Sequence, residues 1–316
     1  EVPLAYHEEG MDEKVVELLN IWTRKPDLNN WKSLVKTIHS LDEEITIAVV
    51  GKYVSLVDAY KSLNEALVHA GYHHKVRVSL KYVDSEDLEK KDADLNEVFS
   101  GCAGILVPGG FGNRGTEGKI AAVRFARENK IPFFGICLGM QLAVVEFARN
   151  MAGLEQANSV EFSPDTKHPV INLMAEQKTV TNKGATMRLG GYPCVLDKDS
   201  FAFEAYGEKE INERHRHRYE FNNEYRELLV SKGLSTTGLS PDGVLVEVIE
   251  IKNHPWFLGC QFHPEFQSSA MKAHPLFVQF INASILHAKQ RDWVQKKSIQ
   301  AIGIVEASKE AKKISG

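Results

Sequence analysis

Residues 1–44 carry apolar positions at helical spacing only. Val15, Val16, Leu18, Leu19 and Trp22 make one amphipathic pattern, and Trp31, Leu34, Val35 and Ile38 make another,. Pro26 and Asn29-Asn30 interrupt the segment, and no strand-like run stands beside either pattern,. It reads as an appendage or linker whose apolar residues want a partner surface. At Ile45 the pattern changes. Ile45-Thr46-Ile47-Ala48-Val49-Val50-Gly51 is a β-rich run of the kind buried on both faces of a parallel sheet,. Tyr60, Leu63, Ala66, Leu67 and Ala70 then predict a helix ending at Gly71, and Val76 to Val83 alternates like a strand,. Gly104 to Val107 is a further buried-strand run, closed by Pro108-Gly109-Gly110. Ile120, Val123, Phe125 and Ala126 mark a helix, Pro132 to Gly135 a strand, and residues 138–149 an apolar helix,.

This alternation predicts an α/β fold with a doubly wound, mostly parallel sheet flanked by helices. The second half adds β-like runs, among them Met187-Arg188-Leu189 and Val244 to Ile251, with one amphipathic stretch near 223–232. Phe257 to Phe262 is one more strand, and residues 275–288 suit a closing helix. From Lys289 the pattern loses its period.

Composition narrows the function. Apolar residues make up 43% of the chain, enough for a full core,. The 38 basic and 42 acidic residues nearly cancel, so the electrostatic footprint of a nucleic-acid binder is missing,. No apolar run approaches the ~20 residues of a membrane span, and no basic-then-apolar leader opens the chain. Cys102, Cys137, Cys194 and Cys260 are too scattered for a disulfide framework, which points to a reducing cytoplasm,. The opening Glu1-Val2-Pro3-Leu4 reads like mid-protein sequence, so the chain is expected to be the C-terminal part of something longer.

The sharpest chemical feature is Gly135-Ile136-Cys137-Leu138-Gly139 at a strand-to-helix junction. Gly-x-Ser-x-Gly in that setting makes a strained elbow that presents a nucleophile. A helix start also favours a thiolate, through unpaired N–H groups and the helix dipole. The alternative is a buried structural cysteine. A nucleophilic cysteine needs a base, and Gln261-Phe262-His263-Pro264-Glu265-Phe266 supplies one at a strand end,. Glu265 can fix the tautomer of His263 and stabilise its imidazolium. The Gly-rich loop after Val107 faces the same edge, and the amides of Gly110 and Leu138 would form an oxyanion hole,. Its Gly110-Phe111-Gly112-Asn113-Arg114-Gly115 matches a dinucleotide fingerprint only formally, because it follows a later strand,. Cys260-x-x-His263 has no second ligand pair, so no metal site is expected,. Within Arg214-His215-Arg216-His217-Arg218-Tyr219-Glu220 an arginine could bind a carboxylate, and Glu161 could receive an ammonium,. A solvated strand edge and a weak phosphate patch are the other readings of that stretch.

Pro-Gly-Gly-Phe-Gly at 108–112, Gly-Ile-Cys-Leu-Gly-Met-Gln at 135–141 and His-Pro-Glu at 263–265 resemble the class I (triad) glutamine amidotransferases. Asn158 to Phe162, Ala185 to Gly190 and Arg214 to Glu220 narrow the resemblance to the glutaminase domain of the CTP synthase family. It covers roughly residues 45–288, and the opening residues resemble the end of that family's synthetase domain. The resemblance implies a flavodoxin-like sheet and three segments: residues 1–44 as the end of the synthetase domain and linker, 45–288 as the amidotransferase domain, 289–316 as a tail. It implies hydrolysis of L-glutamine by Cys137, His263 and Glu265, with Gly110, Leu138, Gly139, Met140, Gln141, Glu161 and Arg218 around the substrate. Ammonia would then travel to UTP activated by ATP and magnesium on the synthetase domain. No phosphate loop of the Gly-x-x-x-x-Gly-Lys-Ser/Thr type occurs in this chain, so none of those nucleotides is expected to bind here,. Arg114, Gly115 and Glu117 match the loop tied in the family to allosteric activation by GTP, and the full-length family members form homotetramers. Another triad amidotransferase, a γ-glutamyl hydrolase and a catalytically idle regulatory domain are the rival readings.

Overall fold

The computed structural model describes residues 1–52, 60–173 and 187–293. Three helices open it: α1 (Val2–Glu8), α2 (Met11–Leu18) and α3 (Asn29–His39). The apolar pattern predicts only the last two. Helix α1 starts with Pro3 in its first turn, where the missing N–H is no loss,. Helix α2 stops at Leu18, so Leu19 and Trp22 stand beyond it, and Trp22 is 89% exposed. None of the three helices has a buried residue.

The alternating region follows as β1 (Glu43–Gly51), α4 (Lys61–His74), β2 (Val76–Asp84), α5 (Leu95–Val98), β3 (Cys102–Val107), α6 (Thr116–Glu128), β4 (Phe133–Ile136) and α7 (Leu138–Asn150). The second half contributes β5 (Ala157–Ser159), β6 (His168–Leu173), β7 (Arg188–Leu196), α8 (Phe201–Tyr206), β8 (Glu210–His217) and β9 (Tyr219–Phe221). It ends with α9 (Arg226–Ser231), β10 (Ser235–Leu239), β11 (Val246–Glu250), β12 (Phe257–Cys260) and α10, over residues 275–293.

The main sheet runs β2-β1-β3-β4-β12-β11-β10-β7-β8. Its first five strands are parallel. The last four continue it antiparallel. Strands β5, β6 and β9 form a second, small sheet. The period-two side-chain alternation sends Ala48 and Val50 of β1 into one core, and Ile45, Ile47 and Val49 into the other,. Helices α6 and α7 cover the first face; α4 and α10 cover the second. Phe134 anchors the second core, its ring 5.4 Å from Trp256, 5.2 Å from Phe277 and 5.7 Å from Phe280. Full burial of such a ring contributes about 1.5–3 kcal/mol.

Two boundaries differ from the pattern for physical reasons. Helix α4 does not stop at Gly71 but runs on to His74, with Lys75 in the left-handed region closing it. Gly71 serves close packing instead, since a Cβ there would lie 2.7 Å from Val76 O. Strand β12 ends at Cys260 and not at Phe262. Lys289 to Trp293 belong to α10, and the rest of the tail lies outside the described residues, as do Ala185 and Thr186. The winding reverses between β1 and β3, because β2 lies outside β1. Doubly wound sheets open a crevice at that point, beyond the strand C-termini.

Candidate active site

Four strand ends converge on this crevice. Strand β4 delivers Cys137, whose N–H still donates to Cys260 O at 2.7 Å as the chain turns into α7. Cys137 has φ 51° and ψ −101°, a sparsely populated conformation that costs about 1–3 kcal/mol,. The flanking glycines let the turn close. A Cβ on Gly135 would sit 2.7 Å from Gly139 C, and one on Gly139 would sit 2.0 Å from Val107 O. The first N–H groups of α7 have no acceptor within the helix, so the Leu138 amide next to the sulfur is one of its orphan donors,.

Beyond β12 the chain bends at Gln261 and Phe262 and changes partners. Gln261 N–H donates to Glu247 O at 2.8 Å, and His263 N–H donates to Arg214 O at 2.7 Å. A single 3₁₀ turn over Pro264–Gln267 then brings Glu265 back under the imidazole. His263 Nδ1 lies 2.8 Å from Glu265 Oε1, while its Nε2 is buried without a hydrogen-bond partner. Burial opposes the imidazolium, but the attraction of Cys137 and Glu265 for the protonated ring outweighs it and pushes the pKa of His263 up to about 10,. A Cβ on Gly109 would sit 2.8 Å from His263 Cε1 and 3.6 Å from Cys137 Cβ, so imidazole and thiol close on the same glycine.

Strand β3 supplies the loop Pro108 to Gly112, and β1 supplies the group that pins it. Lys52 Nζ donates to Phe111 O at 2.7 Å and to Gly112 O at 2.8 Å. Gly112 N–H donates to Glu161 Oε1 at 3.0 Å. Burial raises the pKa of Glu161, against the Gly112 N–H and the charges of Lys52 and Arg218. Lys119 of α6 is buried beside Gly110, and desolvation together with the Lys52 charge lowers its pKa to about 7.

Two cavities meet at Cys137 and Gly110. One, of about 240 Å³, has His263, Glu265 and Phe266 on its wall. The other, of about 290 Å³, is lined by Gln141, Glu161, Met187, His217 and Arg218. Residues from widely separated parts of the sequence therefore share one crevice. Gln141 spends its N–H donors on Tyr219 O at 2.9 Å and Gln261 Oε1 at 3.0 Å, which leaves its carbonyl. Leu138 and Met140 turn their side chains into the core, and Gly139 packs against Val107, so these three offer the crevice backbone only. Arg114, Gly115 and Glu117 line neither cavity. Arg114 pairs with Glu86 at 3.0 Å and Glu117 with Arg149 at 2.7 Å. Gly115 starts α6 in the left-handed region, at φ 69°.

The cationic stretch on β8 separates by face. Arg214 and Arg216 are exposed, Arg216 lying over the Phe111 ring on the wall of both cavities, while Glu213, His215 and His217 are buried. His215 pairs with Glu247 at 2.8 Å, His217 with Glu220 at 2.7 Å, and Arg188 with both carboxylates at 2.8 and 3.3 Å. Burial raises the thiol pKa of Cys102, Cys194 and Cys260. No cluster of three or more metal-ligating side chains occurs among the described residues. No helix among them is long and apolar enough to cross a membrane.

Sequence reasoning missed Lys52, His217 and Gln261. Lys52 follows the strand-ending Gly51, a position that faces the crevice in any doubly wound sheet. Gln261 precedes His263 by two, which in an extended chain puts both side chains on one face,.

The family model for "Glutamine amidotransferase class-I" matches residues 55–283. A CTP synthase of Syntrophus aciditrophicus is 62% identical over 291 residues, covering 92% of this chain and 54% of the relative. One from Geobacter sulfurreducens is 59% identical over 285 residues, covering 90% of this chain and 53% of the relative. The chain thus spans about half the length of the curated relatives it matches. A solved structure, the glutaminase domain of Trypanosoma brucei CTP synthase with bound acivicin, aligns with a TM-score of 0.73 and 41% identity. That alignment covers 76% of this chain and 94% of the solved one. The chain belongs to the class-I glutamine amidotransferases, among the glutaminase domains of CTP synthases.

Proposed function

We propose that this chain hydrolyses L-glutamine and passes the ammonia to a synthetase domain that aminates UTP to CTP with ATP and magnesium. The observation that carries the proposal is the strained Cys137 beside the His263–Glu265 pair, at the junction of a cavity that also holds Glu161 and Arg218. Acivicin, a glutamine analogue, in the Trypanosoma brucei relative supports the substrate class.

In this reading the Cys137 thiolate attacks the side-chain carbonyl carbon of glutamine. The Gly110 and Leu138 amides receive the oxyanion. Arg218 holds the α-carboxylate, Glu161 the α-ammonium, and the free carbonyl of Gln141 accepts a substrate N–H. His263, an imidazolium at neutral pH, gives its Nε2 proton to the departing amine, and ammonia leaves. Acylation removes the thiolate charge that helped to raise the His263 pKa. Its pKa falls, so the imidazole left after proton transfer stays neutral, takes a proton from water, and directs hydroxide at the thioester. Collapse frees glutamate and restores the thiolate.

Residues 1–44 are read as the end of the synthetase domain and linker, 45–288 as the glutaminase domain, and 289–316 as a tail. The full-length protein is read as a cytoplasmic homotetramer activated by GTP through the loop of Arg114, Gly115 and Glu117. Ammonia release from free L-glutamine, rising with GTP when the synthetase half is present, is the expected result. Cleavage of γ-glutamyl peptides with no action on free glutamine would instead identify a γ-glutamyl hydrolase.

A further inference from the structure

Gln261 is fully buried, and an amide in that setting needs its polar atoms paired,. Its Oε1 accepts from Gln141 Nε2 at 3.0 Å, and its Nε2 lies 3.6 Å from Cys137 Sγ. The direction of this relay follows from its far end. Gln141 Nε2 also donates to Tyr219 O at 2.9 Å, and a backbone carbonyl can only accept,. Gln141 must therefore present its nitrogen toward Gln261, Gln261 must answer with its oxygen, and the nitrogen of Gln261 is left facing the sulfur. The backbone is held as well, through Gln261 N–H to Glu247 O at 2.8 Å.

The orientation matters chemically. An amide N–H stabilises a thiolate, whereas an amide carbonyl would repel it and favour the protonated thiol. We propose that Gln261 is a catalytic residue of this site, donating a hydrogen bond to Cys137 Sγ that stabilises the thiolate and holds its rotamer, with Gln141 as the positioning residue that sets its direction. The thiolate is present twice in a turnover, as the attacking group and as the group expelled from the thioester. Gln261 therefore acts at both ends of the cycle without touching the substrate cavity, whose wall it does not join. His263 cannot take over this work, because it must surrender its proton to the amine.

This inference rests on the proposed nucleophilic role of Cys137, and its test separates the two. Iodoacetamide, which needs no glutamine chemistry, is used to alkylate Cys137 in the full chain across a pH range, with peptide mapping to score that residue alone. Wild type is compared with Gln261→Met and Gln141→Leu, and thermal melts confirm that each is folded. The expected result for Gln261→Met is an alkylation midpoint moved to higher pH by about one to two units, the ~10- to 100-fold effect of a hydrogen bond to a charged group. Glutamine hydrolysis falls by a similar factor in kcat with little change in KM. Gln141→Leu moves the midpoint the same way by less, because Gln261 is then free to flip, and it serves alone if Gln261→Met does not fold. A midpoint unchanged in the folded variants overturns the role of Gln261 and leaves Cys137 as nucleophile. Failure of Cys137 to react in wild type while another cysteine does would overturn the underlying reading instead.

Discussion

Two buried sets of imidazoles and carboxylates meet at strand β8, and they do different things. In one, His263 bonds Glu265 through Nδ1 and keeps Nε2 unpartnered. In the other, His215 uses both nitrogens, Nδ1 on Glu213 O at 3.0 Å and Nε2 on Glu247 at 2.8 Å. Burial and carboxylate pairing are common to both, so neither marks a catalytic histidine. His217 of the second set also keeps a ring nitrogen, Nδ1, unpartnered, so the distinguishing feature is the strained cysteine beside His263. In the second set, Arg188 ties Glu220 and Glu247 together. Burial works against ionisation of Glu247, yet His215 and Arg188 hold its pKa below the ordinary value. That set is a buried ion cluster in which His217 Nδ1 and Glu220 Oε2 stay without a hydrogen-bond partner.

The most severe way to break the comparison is to exchange the costs. His263→Ala is expected to lower kcat for glutamine hydrolysis per folded molecule by about 10⁴-fold or more, whatever its melting temperature. His215→Ala is expected to do the reverse, losing about 3–5 kcal/mol of stability as a buried ion pair is broken, with turnover per folded molecule retained. Paired kinetics and denaturant titrations check both, and equal activity losses would erase the distinction. Glu265→Gln comes next, with kcat down by about 10³- to 10⁴-fold through loss of tautomer and imidazolium support. Lys52→Met is expected to cost about 10-fold in kcat, since the oxyanion loop loses two anchoring bonds but keeps the Gly112–Glu161 contact,.

The smallest effect is on stability against pH. The fold raises the pKa of His263 from an ordinary ~6.5 to about 10. Its imidazolium therefore contributes stability in full below about pH 6.5, and that contribution fades as the pH rises through 10,. Thermal melts of wild type and His263→Gln should differ most near pH 6 and converge toward pH 10. A gap that widens with pH would contradict the sign.

The parallel half of the sheet was legible because its strands are apolar on both faces and their breaks fall at glycines and prolines. Cys137 and the His263–Glu265 pair stood out because elbow and turn need particular residues at fixed spacing. What stayed hidden depends on partners remote in sequence. The pairing of His215 with Glu247 crosses from β8 to β11, and no local period announces it. Gln141 read as a substrate ligand by its place in the motif, but two protein acceptors take its N–H donors. Helix α1 went unseen because its seven residues are too few to establish a period.

The most direct test of the account uses the diazo-ketone analogue of glutamine on the chain, followed by intact mass and peptide mapping. One adduct on Cys137, absent in Cys137→Ala and slowed in His263→Ala, is the predicted result. An adduct on another residue, or none while iodoacetamide still reaches Cys137, would contradict a glutamine-directed nucleophile at the elbow.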